Sequence, residues 1–448
     1  MPDEHGAPSE IPADTDAAGL AEAAAGLRSG RRDVVAYAEE LYDRTEAVEP
    51  TVRAFVAESD RHDRLTADAA ALRDRYPEPR DRPPLYGVPV GVKDIFHVGG
   101  LPTRAGSDLP IAELTGAEAS AVSALREAGA LVLGKTVTTE FAYFEPGPTR
   151  NPHDPDHTPG GSSSGSAAAV AAGETPLALG SQTIGSVIRP AGFCGIVGFK
   201  PSYGRIPIDG VLPLAESVDH VGAFTRSVED MRLAASVLCE GWETDEAGRD
   251  GSPVLGVPAG RYLSQASEAG REQFEAQVDA LASAGYEVRR VQLFEDIEAL
   301  NERHTRLVAA EAALAHAEWY DEYGAQYAEG TVDLLRDGWE VSVDELADGR
   351  ASRRDLRTKL ADTMVEEGID VWLSPSAPGP APEGIDDTGD PVMNLPWTHA
   401  GVPAVSLPGG SVDDLPVGLQ CAGAFGEDER LLAWAEQMEA TLDESSLT

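Results

Sequence analysis

Two clusters of small residues hold side chains that could support acyl transfer. Gly160-Gly161-Ser162-Ser163-Ser164-Gly165-Ser166 opens a run of alanines, and Gly180-Ser181-Gln182-Thr183-Ile184-Gly185-Ser186-Val187-Ile188-Arg189-Pro190 follows an apolar stretch. A serine-rich linker would be interchangeable in sequence. Here the serines sit among turn-forming glycines, flank a predicted helix and precede a strand-like segment. Ser162 and Ser186 lie 24 positions apart. One helix-loop-strand passage joins them, which can return both hydroxyls to the same edge of a sheet.

A third partner, Lys93, sits in Tyr86-Gly87-Val88-Pro89-Val90-Gly91-Val92-Lys93-Asp94. With these three segments the chain resembles the amidase signature family, whose Ser-Ser-Lys triad maps onto Lys93, Ser162 and Ser186. The resemblance runs from the first helical segment to Leu415-Pro416-Val417-Gly418-Leu419-Gln420 and is densest between Gly87 and Pro207. It implies Ser186 as nucleophile, Ser162 as proton relay after a non-proline cis peptide bond, and Lys93 as a base that must be neutral to act. It also implies an oxyanion hole from the amides of Thr183, Ile184, Gly185 and Ser186. Gly185 before the nucleophile would let substrate approach the backbone. Asp94 is a difficulty, because an adjacent carboxylate favours the ammonium unless it points elsewhere. The scheme requires no metal and no organic cofactor.

The chain departs from the commonest family pattern. Most members carry Asp-Thr-Gly-Gly-Ser where this sequence has Gln182-Thr183-Ile184-Gly185-Ser186, and their arginine two places after the nucleophile is Ile188 here. Arginine stands instead at position 189, a variant resembling the malonamidase-like branch. Arg189 has two readings of equal standing: a bidentate clamp on a substrate carboxylate, or a loop-fixing donor. Lys135, in Gly134-Lys135-Thr136, reads as a structural donor. Ser163 and Ser181 read as loop supports, and Asp219 as structural.

The elements that must position these groups alternate as in an α/β protein. Ala17 to Glu46 has helical periodicity, Ala117 to Gly129 is amphipathic, and Ala130-Leu131-Val132-Leu133 is a buried-strand candidate ended by Gly134. Ser166 to Ala172 predicts a tightly packed helix of small residues, and Pro176 to Leu179 a strand leading toward Ser186. The expected fold is a large mixed-sheet core sandwiched by helices. Its expected divisions are an acidic disordered tail at 1–15, the first part of the core with an amino-terminal helical layer at 16–240, a helical cap or insertion at 241–365, and the second part of the core at 366–448.

Composition bounds the partners. The chain has 448 residues, long enough for a large core, and no apolar run of membrane-spanning length. The polar, acidic stretch from Met1 to Asp16 reads as no signal peptide, so a cytoplasmic enzyme is expected. Cys194, Cys239 and Cys421 are widely spaced and unpaired in pattern, which fits a reducing compartment. His153 and His157 stand four apart, but Pro152, Pro155 and Pro159 break that stretch, so a helical metal site is not expected.

A net charge of -42 disfavours nucleic acid as a partner. The expected partner is a small-molecule amide. Many members of the family it resembles self-associate, although no interface can be read from the sequence. The leading function is a free-standing amidase hydrolysing a small carboxylic amide. The alternative is the A subunit of a glutamine-dependent tRNA amidotransferase. Only four of the 35 basic residues are lysines, and this acidic, lysine-poor pattern points to a salt-adapted organism, where cations screen self-repulsion. The thermal midpoint should therefore rise as potassium chloride goes from millimolar to molar. A midpoint indifferent to salt would contradict that expectation.

Overall fold

The computed structural model describes residues 18–243 and 251–445. The expected disordered tail at 1–15 lies outside the described residues. Along the chain run α1 (Leu20–Ser29), α2 (Val34–Val52), α3 (Arg61–Arg75), β1 (Pro89–Lys93), α4 (Ser120–Glu127), β2 (Leu131–Thr136), α5 (Ser164–Ala171), β3 (Ala178–Gln182) and α6 (Ile188–Cys194). These are followed by β4 (Val197–Lys200), β5 (His220–Thr225), α7 (Val228–Leu238), β6 (Leu255–Ala259), α8 (Glu268–Ser283), β7 (Val288–Gln292), α9 (Ile297–Ala315), α10 (Ala317–Tyr323), α11 (Glu329–Trp339) and α12 (Val343–Glu367). The chain closes with β8 (Val371–Pro375), α13 (Leu395–Ala400), β9 (Ala404–Val412), β10 (Leu415–Ala422) and α14 (Asp428–Glu444).

Among the described residues, the strands form one sheet in the order β2-β1-β3-β5-β4-β9-β10-β8-β6-β7. Pairing is parallel at both flanks and antiparallel through the centre. The fold is the expected α/β class. Strand β2 is buried along its whole length, which explains why it reads as a short apolar run rather than as an alternating pattern. The periodic stretch from Ala17 to Glu46 is two helices, because Gly30 takes a left-handed conformation after α1 and Asp33 caps α2 by accepting from the amides of Val35 and Ala36.

The segment expected as a helical insertion differs from that expectation. It carries α8 to α12, but it also supplies β6 and β7, which extend the main sheet beyond β8 as parallel strands. Their residues Leu255-Gly256-Val257-Pro258-Ala259 and Val288-Arg289-Arg290-Val291-Gln292 lie among strongly helical sequence, and β7 is only partly buried, so its alternation is weak. No helix among the described residues is long and apolar enough to cross a membrane.

Two features of this architecture place the site. β1 and β3 are parallel neighbours, with Gly91 paired to Ala178 and Val92 to Leu179, so Lys93 and Gln182 emerge at the same edge of the sheet. Helix α5 is buried on nearly every side. A Cβ on Gly165 would stand 2.1 Å from the Ala54 carbonyl oxygen and 2.4 Å from the Val137 amide nitrogen. The small residues of α5 are thus what allows the Ser162 loop to sit so deep in the fold.

Candidate active site

Lys93, the last residue of β1, is fully buried. Its Nζ lies 2.7 Å from Ser162 Oγ, 3.0 Å from Ser163 Oγ and 2.9 Å from Ser181 Oγ. Sequence alone marks Ser163 and Ser181 as loop supports, but both also touch the amine directly. Ser163 Oγ donates to the Ser181 carbonyl at 3.1 Å and accepts from the Ser181 amide at 3.2 Å, which fastens the 160–163 loop to β3. The Gly161–Ser162 peptide bond is cis.

Burial holds the Lys93 amine well below the ordinary lysine range. The Asp219 carboxylate opposes that shift and the Arg189 charge reinforces it. Asp94 is turned away. Successive strand residues face opposite sides, and Asp94 pairs with Lys135 at 2.6 Å, both side chains being buried. Lys135 also donates to Thr103 Oγ1 at 3.2 Å. The lysine read as a structural donor thus neutralises the one carboxylate that neighbours Lys93 in sequence.

Ser186 follows β3 in a tight turn before α6, is 8% exposed, and lines a narrow cleft with Tyr143, Phe144, Thr183, Ile184 and Arg189. The 160–163 loop packs against the start of α6, since a Cβ on Gly160 would stand 2.9 Å from Pro190 Cα. Among the described residues, no hydrogen bond joins Ser162 to Ser186. Two of the three members of the sequence-derived triad are therefore hydrogen-bonded, and the third faces the cleft beside them.

The turn from Gln182 to Ile188 is held by its carbonyls and flanking side chains. Gln182 Oε1 accepts from the amides of Val187 (2.8 Å) and Ile188 (2.9 Å), while Gln182 Nε2 donates to Thr398 Oγ1 at 2.8 Å. Thr398 Oγ1 in turn donates to the Ile184 carbonyl at 2.7 Å. Thr183 Oγ1 donates to Asp219 Oδ1 at 2.6 Å, and Asp219 Oδ2 accepts from the amides of Leu214 and Ala215. Among the described residues, the amides of Ile184, Gly185 and Ser186 have no intramolecular acceptor. They are donors without a partner beside the cleft. The space at Gly185 is already filled: a Cβ there would meet Asn394 Oδ1 at 2.4 Å and Pro391 Cβ at 2.8 Å. The residue must be glycine because of protein packing, which is a different reason from the substrate approach expected from sequence.

Arg189 is 1% exposed, and its Nη2 donates to the Gly161 carbonyl (2.8 Å) and to Thr388 Oγ1 (3.1 Å). Its Nε and Nη1 have no partner among the described residues. Burial lowers its pKa to about 10, opposed by the charges of Asp390 and Asp387. Beside the Ser186 cleft, and sharing Ala142, Thr183 and Leu214 with it, lies a cavity of about 430 Å³. Ile95, Ile208, Val211 and Leu212 wall it, and it reaches Ser181.

Sequence reasoning missed the groups that brace the turn from a distance. Thr398, Asn394, His304 and His399 come from the last third of the chain. Nothing in their local pattern marks them.

Known proteins resemble this chain over nearly its whole length. The Amidase family model matches residues 36–432. The chain is 36% identical to an amidase of known crystal structure, with a TM-score of 0.86 over 95% of this chain and 100% of the other. It is 25% identical to a peptide amidase from Stenotrophomonas maltophilia, with a TM-score of 0.81 over 97% and 98%. Among curated proteins it is 31% identical to the A subunit of the Glutamyl-tRNA(Gln) amidotransferase of Exiguobacterium sibiricum, across 92% of this chain and 95% of that one. The corresponding protein of Lysinibacillus sphaericus is also 31% identical, across 93% and 95%. The chain belongs to the amidase signature family and is an amidohydrolase-type enzyme acting on C–N bonds.

Proposed function

We propose that the protein is a free-standing amidase that converts a small carboxylic amide to the carboxylate and ammonia through an acyl-enzyme on Ser186. The observation that carries this reading is the buried Lys93 amine within hydrogen-bond distance of three serine hydroxyls. A neutral amine has two N–H donors and one lone pair. Ser163 already donates to the Ser181 carbonyl, so its oxygen accepts one Lys93 N–H. Ser181 Oγ accepts the other, and the lone pair faces the Ser162 hydroxyl. In that state Ser162 gives its proton to Lys93 as it takes one from Ser186.

The cycle follows from this order. Ser186 Oγ bonds to the amide carbon, and the carbonyl electrons move to an oxygen held by the amides of Ile184, Gly185 and Ser186, with Thr183 at the edge of the same turn. When the C–N bond breaks, the proton returns through Ser162 to the nitrogen, which leaves as ammonia. Water then attacks the acyl carbon, giving its proton to the same relay, and Ser186 departs with that proton restored. The Ser162–Ser186 link closes on substrate binding, as catalytic hydrogen bonds often tighten only in the complex. The neighbouring cavity of about 430 Å³ suits the substituent of a small amide.

Arg189 serves both of its sequence readings in this proposal. Nη2 fixes the Gly161 carbonyl, and the unpartnered Nε and Nη1 are the donors left for a substrate carboxylate.

The second reading, the A subunit of an amidotransferase, has the curated relatives in its favour. Such a protein works with partners. The Gln182, Ile184 and Arg189 variants and the charge of -42 favour the solitary hydrolase with a small-molecule substrate and no nucleic acid. Self-association is compatible with either.

Two measurements test this account. The purified chain, screened in high salt against aliphatic, aromatic and carboxylated primary amides, should release ammonia without a second protein. Ser186→Ala should abolish both release and acyl-enzyme formation. Glutaminase activity appearing only with a partner would reverse the order of the two readings, and turnover retained in Ser186→Ala would remove the nucleophile assignment. Arg189→Met should lower kcat/KM for an ω-carboxylated amide about tenfold or more beyond its effect on the neutral analogue, as for loss of a charge-assisted pair. Equal losses for both would leave Arg189 only its loop-fixing role.

A further inference from the structure

Three side chains outside the proton relay, two of them fully buried, form a line that ends on the nucleophile turn. His304 of α9 and His399 of α13 are fully buried, with their Nδ1 atoms 3.0 Å apart. His304 Nε2 lies 3.1 Å from the Thr183 carbonyl oxygen, and His399 Nε2 lies 2.8 Å from Ser352 Oγ on α12. The proton positions along this line follow from one fixed end. A carbonyl oxygen can only accept, so His304 carries its proton on Nε2 and donates it to Thr183. His304 Nδ1 is then a lone pair, and His399 must place its proton on Nδ1 to meet it. His399 Nε2 is left as a lone pair that takes the Ser352 hydroxyl proton, in competition with the Gly349 carbonyl, 2.8 Å from the same hydroxyl.

A second proton on His304 would set two N–H groups face to face. Burial holds His304 down to about 4, and burial, the second imidazole and the Arg353 and Arg303 charges hold His399 down to about 2. The pair thus stays neutral with one proton order throughout the range in which an enzyme works.

We propose that His304 is a positioning residue for the oxyanion turn, and that the Ser352–His399–His304 line fixes which of its nitrogens carries the proton. Holding the Thr183 carbonyl from behind orients the peptide whose nitrogen belongs to Ile184. Thr398 does the same for the Ile184 carbonyl and hence for the Gly185 amide. Those two amides are among the donors without a protein acceptor. The helical segment between β7 and β8 therefore reaches the reacting centre through this line, without contributing a group that touches substrate. This inference rests on the reading of 183–186 as the oxyanion turn.

The test uses the full chain with labelled histidine, the variants His304→Gln and His304→Asn, and an alkyl fluorophosphonate that phosphonylates an activated serine. Glutamine can set a side-chain N–H near the place of Nε2 and reach Thr183. Asparagine fills the site with the same chemistry but falls short. Imidazole nitrogen spectra should show His304 protonated at Nε2 and His399 at Nδ1. The backbone amide signals of Ile184 and Gly185 should move in His304→Asn and return toward wild type in His304→Gln. Phosphonylation of Ser186 should slow about tenfold in the asparagine variant, less than the loss of a whole oxyanion donor, and recover in the glutamine variant. Opposite tautomers, or equal amide signals and equal rates in both variants, would overturn the proposal. A wild-type chain that resists phosphonylation would count against the acyl-enzyme reading, while the imidazole and amide signals would still decide the role of His304.

Discussion

A lysine amine taken completely out of water, in contact with three serine hydroxyls, is the constraint around which this fold is arranged. Burying an ammonium without a charge partner is costly, and the group responds by giving up its proton. What would spoil the arrangement is a carboxylate close to Nζ. The sequence places one at the next residue, and the pleat of β1 sends it to the opposite face, where Lys135 holds it. Asp219, the remaining acid that favours the charged amine, spends both carboxylate oxygens on Thr183 and on the amides of Leu214 and Ala215.

The second requirement is a turn in which the amides of Ile184, Gly185 and Ser186 keep no protein acceptor while the carbonyls of Thr183 and Ile184 are occupied. Gln182 meets it with one carboxamide. Its oxygen takes the two amides at the start of α6, and its nitrogen points to Thr398, whose hydroxyl is thereby directed at the Ile184 carbonyl. A carboxylate at position 182 would leave Thr398 without that incoming donor. The glutamine in place of the family's commoner aspartate is thus matched to a threonine more than two hundred residues later. Gly185, packed against Asn394 and Pro391, lets the turn lie close to α13.

The local parts of this design were legible in the sequence. The glycine-serine clusters, the small-residue helix α5 and the buried strand β2 all follow from turn chemistry and periodicity. Less legible was what depends on chain segments meeting in space. The strands β6 and β7 are short and embedded in helical sequence, and they became strands because β8 offers them an edge. The direct contacts of Ser163 and Ser181 with Lys93, the bracing by Thr398, and the line through His304 and His399 join residues from 47 to 216 positions apart. A lone histidine on a helix carries no sign of which carbonyl it will meet.

The central claim is that Lys93 is a neutral amine at the pH where the enzyme works. Because the chain has only four lysines, Lys93, Lys135, Lys200 and Lys359, each side-chain nitrogen can be assigned by single replacement to arginine in labelled protein. A pH titration of the Nζ signals tests the claim most directly. The account predicts that Lys93 gains its proton only at a pH well below the ordinary lysine range. A Lys93 signal that remains that of an ammonium through neutral and mildly alkaline pH would contradict it.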